Sequence, residues 1–285
     1  MSAAAPADAG RVASGACDAD VGRVLMVGCG NMGGAMLRRW LDAGMNPRQV
    51  TVVSPSGRPM PAGVRVVSAI PHPDEGRSFD TIILALKPQK LPELRDSALA
   101  VHTPRLLLSI LAGVEERVIA GLCRADAVVR AMPNLPVAIG KGVTSLFSST
   151  GNDGARATAE LLSAPLGHHE WIGNEGLFDI VTALAGSGPG FLFRFIDALG
   201  AAGAALGLPE DQARRLALAT VEGSAAMAAV SDESPAVLTD RVASPGGSTR
   251  EGLNVLDRDS ALVRLLTETL RASERRNREM AAAAR

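Results

Sequence analysis

Six residues near the start of the chain, Gly28-Cys29-Gly30-Asn31-Met32-Gly33, carry glycines at the spacing GxGxxG. They follow the apolar run Arg23-Val24-Leu25-Met26-Val27 and precede a helical pattern over residues 31–43. In that setting each glycine has its own task. Gly28 allows a sharp turn, Gly30 lets the backbone approach a pyrophosphate, and Gly33 lets the helix pack closely on the strand. Free N–H groups at the helix start then face the anion. The spacing alone is a weak signal in a chain with 30 glycines. Its place between a strand and a helix makes a dinucleotide the expected ligand, the alternative being a purely structural turn.

The second strand is expected at Val50-Thr51-Val52-Val53, followed by Ser54-Pro55-Ser56-Gly57-Arg58. A carboxylate at this point would accept hydrogen bonds from a ribose 2′-hydroxyl and repel a 2′-phosphate. Two hydroxyls and Arg58 stand there instead. The expected cofactor is therefore NADPH, with NADH as the alternative.

A second cluster, Ser244-Pro245-Gly246-Gly247-Ser248-Thr249, suits an organic acid. Ser248 lies three residues before Glu251, a capping-box spacing that predicts a helix start. Gly246 and Gly247 permit a tight backbone nest whose amides would bind a carboxylate. Thr249 supplies a hydroxyl donor, a weak acid by itself, the lesser alternative being a simple capping residue.

Other residue types offer less chemistry. The four histidines, His72, His102, His168 and His169, are expected at the surface, and Asp179 and Asp197 read equally as structural helix charges or as functional ones. Arg130 is expected to pair inside the sheet. No Ser/His/Asp triad or metal-ligand spacing is readable. Cys17, Cys29 and Cys123 form no CxxC pair. With no secretory pattern, they suggest a reducing, cytoplasmic setting. A net charge of −1 gives no reason to expect nucleic acid or an acidic membrane as partner. Residues 178–208 are apolar but broken by Gly186-Ser187-Gly188-Pro189, which argues against a membrane span.

These residues need a scaffold. Strand-like runs at 64–67, 81–86, 106–110 and 127–130 continue the alternation with helical segments, and two more are expected at 143–147 and 169–172. Strands spaced by helices predict a doubly wound, mainly parallel sheet. Beyond residue 173 the patterns are helical only: 178–185, a helix opened by Pro189, one from Pro209 to about 230, a short one at Ser234-Pro235, and 260–284. The expected division is a disordered tail at 1–20, a Rossmann dinucleotide-binding domain at 21–173 and an all-helical domain at 174–285.

Further motifs are Leu84-Ala85-Leu86-Lys87-Pro88-Gln89, Ser109-Ile110-Leu111-Ala112-Gly113-Val114, Arg130-Ala131-Met132-Pro133-Asn134-Leu135-Pro136 and the segment from Phe178 to Gly186-Ser187-Gly188-Pro189. Taken in order with the glycine loop and SPGGST, they closely resemble the pyrroline-5-carboxylate reductase family over residues 24–278. The resemblance implies hydride transfer from NAD(P)H to the C=N bond of 1-pyrroline-5-carboxylate, giving L-proline, the last step of proline biosynthesis. It implies a helical dimerisation domain, a homodimer with its active site between the cofactor and helical domains, and assembly of five dimers into a decamer. By position, Gly28, Gly30, Asn31, Met32, Gly33 and Ser54 touch the nucleotide. Ala85, Lys87, Pro88, Ala112 and Asn134 lie along the ribose and nicotinamide. Ser244, Gly247, Ser248 and Thr249 hold the substrate, with Thr249 donating to the ring nitrogen. The chain departs from the family pattern at Ala185, Gly190-Phe191, Ala219 and Arg250. The competing readings are another NADP-dependent cyclic-imine or β-hydroxyacid-type reductase, or a module that senses NADP without catalysis. The β-hydroxyacid reading wants a lysine in the helical half, where this chain has none.

Overall fold

A computed structural model describes residues 21–75 and 78–283. The expected disordered tail at 1–20 lies outside the described residues. Contacts divide the chain into two compact units. One runs to Gly186 and takes in the chain from Glu274 onward; the other is Ser187–Ser273. The sequence-based boundary near Gly173 thus falls within the first unit.

The first unit is built on an eight-stranded sheet in the order β3-β2-β1-β4-β5-β6-β7-β8. Its strands are β1 Val24–Val27, β2 Val50–Val53, β3 Arg65–Val67, β4 Thr81–Leu84, β5 Leu106–Ser109, β6 Ala127–Pro133, β7 Gly142–Phe147 and β8 Gly167–Trp171. The first six run parallel, with β1 and β4 adjacent at the centre. The order therefore reverses at β1, and the crevice outside the strand ends at β1/β4 is where an open α/β sheet takes its ligand.

The apolar runs of β1, β2, β4 and β5 are continuous because both faces of the sheet are covered. One face packs against α1 (Asn31–Asp42) and the helix at Asp153–Ser163. The indole N–H of the buried Trp40 donates to Leu162 O at 2.6 Å and ties those two helices together. The opposite face carries Leu94, Leu99, Ile119 and Leu122 from the short helices after β4 and β5.

Two expectations change here. The strand expected at 127–130 extends to Pro133, so most of the MPN motif is strand. It then pairs with β7 in antiparallel register, because a connection of only eight residues, 134–141, cannot cross over. Gly140, at φ 69°, makes the reversal. A helix at Asp153–Ser163, capped by Asn152, was not expected; it is the crossover that lets β7 and β8 run parallel.

With α2 Pro92–Arg95, α3 Glu116–Ala120, α4 Asp153–Ser163 and α5 Phe178–Val181 completing the first unit, the remaining helices are α6 Gly188–Ala205, α7 Glu210–Val230, α8 Pro235–Val242, α9 Ser248–Asp257 and α10 Ala261–Ala283. In the second unit α6 and α7 pack closely through small residues. A Cβ at Gly200 would stand 3.3 Å from Arg214 Cα, and one at Gly203 3.4 Å from Ala213 Cβ. Pro189 sits in the first turn of α6, and Ser234 caps α8 by accepting from Val237 N–H. Between Asp257 and α10 the chain bends at Asp259 and Ser260, both at positive φ. The last turns of α10, from Glu274, belong to the first unit, where Asn277 donates to Asp179 O at 3.2 Å.

Candidate functional site

The chain leaves β1 at Gly28 with φ 84°. A Cβ there would lie 2.9 Å from Ala85 O, so both the turn and the neighbouring end of β4 require glycine. Gly33 is the close-packing position: its Cβ would meet Ala85 Cβ and Met26 Cε, each at 3.1 Å. Gly30 is different, since nothing lies within 4 Å of a Cβ placed there. That empty space fronts the start of α1, whose N-cap is Gly30 and whose first turn has neither a side-chain cap nor an acidic residue. Exposed N–H groups and a bare approach path fit a pyrophosphate. Asn31 is exposed and Met32 half-buried beside them.

Ser54 directly follows β2, its N–H donating to Val67 O and its hydroxyl 3.5 Å from that of Ser56. Beyond it a concavity of about 100 Å³ is lined by residues that include Cys29, Gly30, Gly34, Arg38, Arg58 and Met60. No carboxylate lines it. Burial pushes the Cys29 thiol up, against the pull of Arg38 and Arg58. Arg38 escaped the sequence reading. Its signal was spacing: Gly30, Gly34 and Arg38 are four residues apart and share one helix face.

Along the strand ends, Ala85 is buried and its N–H donates to Val27 O. Lys87 is exposed and Pro88 half-buried at the start of a single helical turn. Ala112 is half-buried, next to Gly113 at φ 71°. Asn134 is buried, and its amide is engaged at both ends. Its Oδ1 accepts from Val143 N–H at 2.8 Å and its Nδ2 donates to Ala185 O at 2.9 Å. The structure therefore gives Asn134 a positioning task, bracing the segment before Gly186. That segment, Thr182–Gly186, is π-helical rather than the simple helix expected, and such turns concentrate at functional sites.

In the second unit, Gly246 has φ 72° and Gly247 N–H donates to Ser244 O at 2.9 Å. The expected capping box is corrected. Helix α9 starts at Ser248 with Gly247 as N-cap and no side-chain cap, so Ser248 is one residue too far along to cap it. Its first amides thus lack a side-chain acceptor, which suits a carboxylate better than a box would. Ser244, Ser248 and Thr249 are exposed and Gly247 half-buried. Arg250, where the sequence departs from the family pattern, donates to Asp240 Oδ1 at 2.9 Å and to Ala243 O at 3.4 Å. It anchors the first turn of α9 to the end of α8.

Further charges cluster in the first unit. Arg130 does not pair within the sheet. It meets Glu175 at 2.6 Å and lies over the Phe178 ring at 4.2 Å. Glu175 also accepts from Glu116 N–H at 2.7 Å, joining β6 to the start of α3. With Arg278 and Asp179 they border a cavity of about 430 Å³. Burial holds the Asp179 carboxyl above its usual range, against the pull of Arg130 and Arg278. His102 is buried, not at the surface, and bonds Pro71 O at 2.9 Å. Among the described residues Cys29 and Cys123 are free and no cluster of His, Cys, Asp and Glu could hold a metal.

Sheet order, glycine turn and helical half define the class: an oxidoreductase with a Rossmann-type domain and a separate helical domain. The family model described as "Pyrroline-5-carboxylate reductase dimerisation" matches residues 175–280, and one described as "NADP oxidoreductase coenzyme F420-dependent" matches residues 23–113. Pyrroline-5-carboxylate reductase of Synechocystis sp. is 32% identical over 263 residues, covering 90% of this chain and 97% of that protein. The Pseudomonas aeruginosa enzyme of the same name is 31% identical, covering 91% and 97%. Among solved structures, a pyrroline-5-carboxylate reductase from Coxiella burnetii superposes with a TM-score of 0.80 at 30% identity, covering 91% of this chain and 98% of that one. Plasmodium falciparum pyrroline carboxylate reductase with NADP bound gives 0.73 at 26% identity over the same shares. The chain belongs to the pyrroline-5-carboxylate reductase family.

The helical run Glu175–Ala205 is long and apolar enough, by length and composition, to cross a membrane. It also lies inside the region matched by the dimerisation model, whose helices expose Leu192, Phe193, Phe195, Leu216, Leu218 and Met227 in the single chain.

Proposed function

We propose that this protein reduces the C=N bond of 1-pyrroline-5-carboxylate to give L-proline, acting on a CH–NH group with NADPH. When bound, the cofactor supplies the hydride to the imine carbon, and the ring nitrogen ends with a proton. The chain's own work is to bind, orient and donate. The turn Gly28–Gly33 offers the pyrophosphate its free amides, with Asn31 and Met32 beside them. Ser54 and Arg58 face the adenosine ribose. Ala85, Lys87, Pro88 and Ala112 line the strand ends where the nicotinamide half would lie.

The observation that carries the substrate reading is the uncapped start of α9. The Gly247 N–H closes the turn onto Ser244 O, and the amides of Ser248 and Thr249 that follow it would hold the ring carboxylate. The Thr249 hydroxyl would then donate a hydrogen bond to the imine nitrogen, so that the proton the product needs arrives through it from water. Positioning accounts for the rest of the rate, since the reacting carbon must stand about 3–3.5 Å from the hydride donor.

We further infer a soluble cytoplasmic homodimer formed through the second unit. Its exposed apolar side chains sit on nearly every helix, which marks a protein interface. Dimers would assemble into a decamer, and light scattering after gel filtration reads both sizes. We keep the functional division near residue 173, where the helical dimerisation region begins.

The deciding experiment mixes purified protein, NADPH and the pyrroline acid and follows NADPH absorbance. Loss of absorbance with formation of proline supports the reading. Tight NADPH binding without turnover would replace the reductase with a sensor.

A further inference from the structure

Two residues beside the glycine turn have no task in the GxGxxG arrangement: Gly34 and Arg38. Gly34 is not one of the three fingerprint glycines, yet a Cβ there would touch Arg38 Nη1 at 3.5 Å and Cys29 Sγ at 3.8 Å. The Arg38 guanidinium therefore lies back along α1, over Gly34 and toward the turn, the direction in which helical side chains lean. Arg58 reaches the same concavity from the loop after β2, where Pro59, Met60 and Pro61 stiffen the wall. Both guanidiniums act on one point, the Cys29 sulfur. Among the described residues no carboxylate lines the concavity they share, and the first turn of α1 contributes none. Two like charges gathered over the positive end of a helix repel one another unless an anion joins them. The space between them is about 100 Å³, suited to one phosphate group and too small for a nucleotide.

We infer that Arg38 and Arg58 form a two-sided clamp on the 2′-phosphate of NADPH, with Arg38 as the arm that the loop motif does not reveal. This rests on the cofactor reading above and assigns the choice between NADPH and NADH to two residues on different elements. Gly34 keeps the floor low enough for the Arg38 fork to lie flat.

Calorimetric titration with NADPH, NADH and adenosine 2′,5′-bisphosphate tests the clamp on wild type, Arg38→Ala, Arg38→Lys and Arg58→Ala. Loss of one charge-assisted contact should weaken NADPH and the bisphosphate by about tenfold or more in each alanine variant. NADH should stay within about twofold, since it has no group for the clamp to hold. Arg38→Lys should recover part of the loss, because it restores charge without the planar fork. An Arg38→Ala protein that binds NADPH like wild type, or loses NADH affinity equally, overturns the clamp. Wild type that binds neither dinucleotide would instead overturn the cofactor reading beneath it. Thermal melts of the variants should match wild type, as both side chains are exposed.

Discussion

Asn134 at the end of β6 donates its side-chain N–H to the carbonyl oxygen of Ala185, 51 residues further on, at 2.9 Å. The bond fixes the end of a central strand to a π-helical turn that runs into Gly186-Ser187-Gly188-Pro189. Asn134→Ala removes the side-chain partners of the half-buried Val143 N–H and Ala185 carbonyl, and should cost about 2 kcal/mol of stability. Urea unfolding reads the loss. If Asn134 positions rather than touches substrate, kcat should fall while the affinity for NADPH changes little.

Gly28 and Gly30 should respond oppositely to alanine. Gly28→Ala forces a side chain into φ 84° and against Ala85 O, and should destabilise the fold by about 2 kcal/mol. Gly30 has φ −74° and open space, so Gly30→Ala should melt like wild type. The added methyl fills the pyrophosphate's approach and should weaken NADPH binding by about tenfold or more. Normal NADPH affinity in Gly30→Ala would remove the turn from the cofactor site.

Thr249→Val keeps the shape of the side chain and deletes its hydroxyl. Turnover should drop by about tenfold or more, with substrate affinity largely kept by the backbone amides. Wild-type turnover in this variant would leave Thr249 as a structural residue of the first turn of α9.

Arg130 is 4% exposed, its Nε has no partner among the described residues, and its charge is met mainly by Glu175. Arg130→Leu would leave Glu175 with the Glu116 N–H as its partner but no counter-charge, and would remove the guanidinium from over Phe178. It should cost about 3 kcal/mol. Glu175→Gln keeps the volume but leaves Arg130 short of its counter-charge, so it should destabilise as well. Equal stability of both variants to wild type would show the pair to be dispensable.

Cys123 is buried, and burial pushes its thiol up to about 11. The unfolded chain releases this proton near the ordinary thiol value, before the folded one does. The contribution to stability is therefore whole below the unfolded value and is lost as pH rises through about 11. Unfolding followed across that alkaline window should give a falling slope that Cys123→Ala reduces. An unchanged slope would show that the thiol is not the titrating group.

Much of this protein is readable without coordinates. The glycine fingerprint, the alternation of strands and helices, the change to helices after residue 173 and the proline and serine helix starts are written in short stretches of chain. They are local, because backbone sterics, side-chain periodicity and hydrogen bonds to neighbouring residues decide them. For the same reason β2 was placed correctly to the residue and Gly28 could be given its turn.

What the tertiary structure decided depends on partners far along the chain. The reach of β6 to Pro133 and the reversed direction of β7 follow from sheet pairing. The burial of His102 follows from Pro71 O, and the bracing role of Asn134 from Ala185. The tie of Arg250 to Asp240 links two helices. Arg38 was hidden for a related reason: a helix spacing shows which face a side chain shares, but only the folded loop after β2 places Arg58 opposite it. Local sterics write elements into the sequence, whereas the company a charged or polar group keeps is set when distant segments meet.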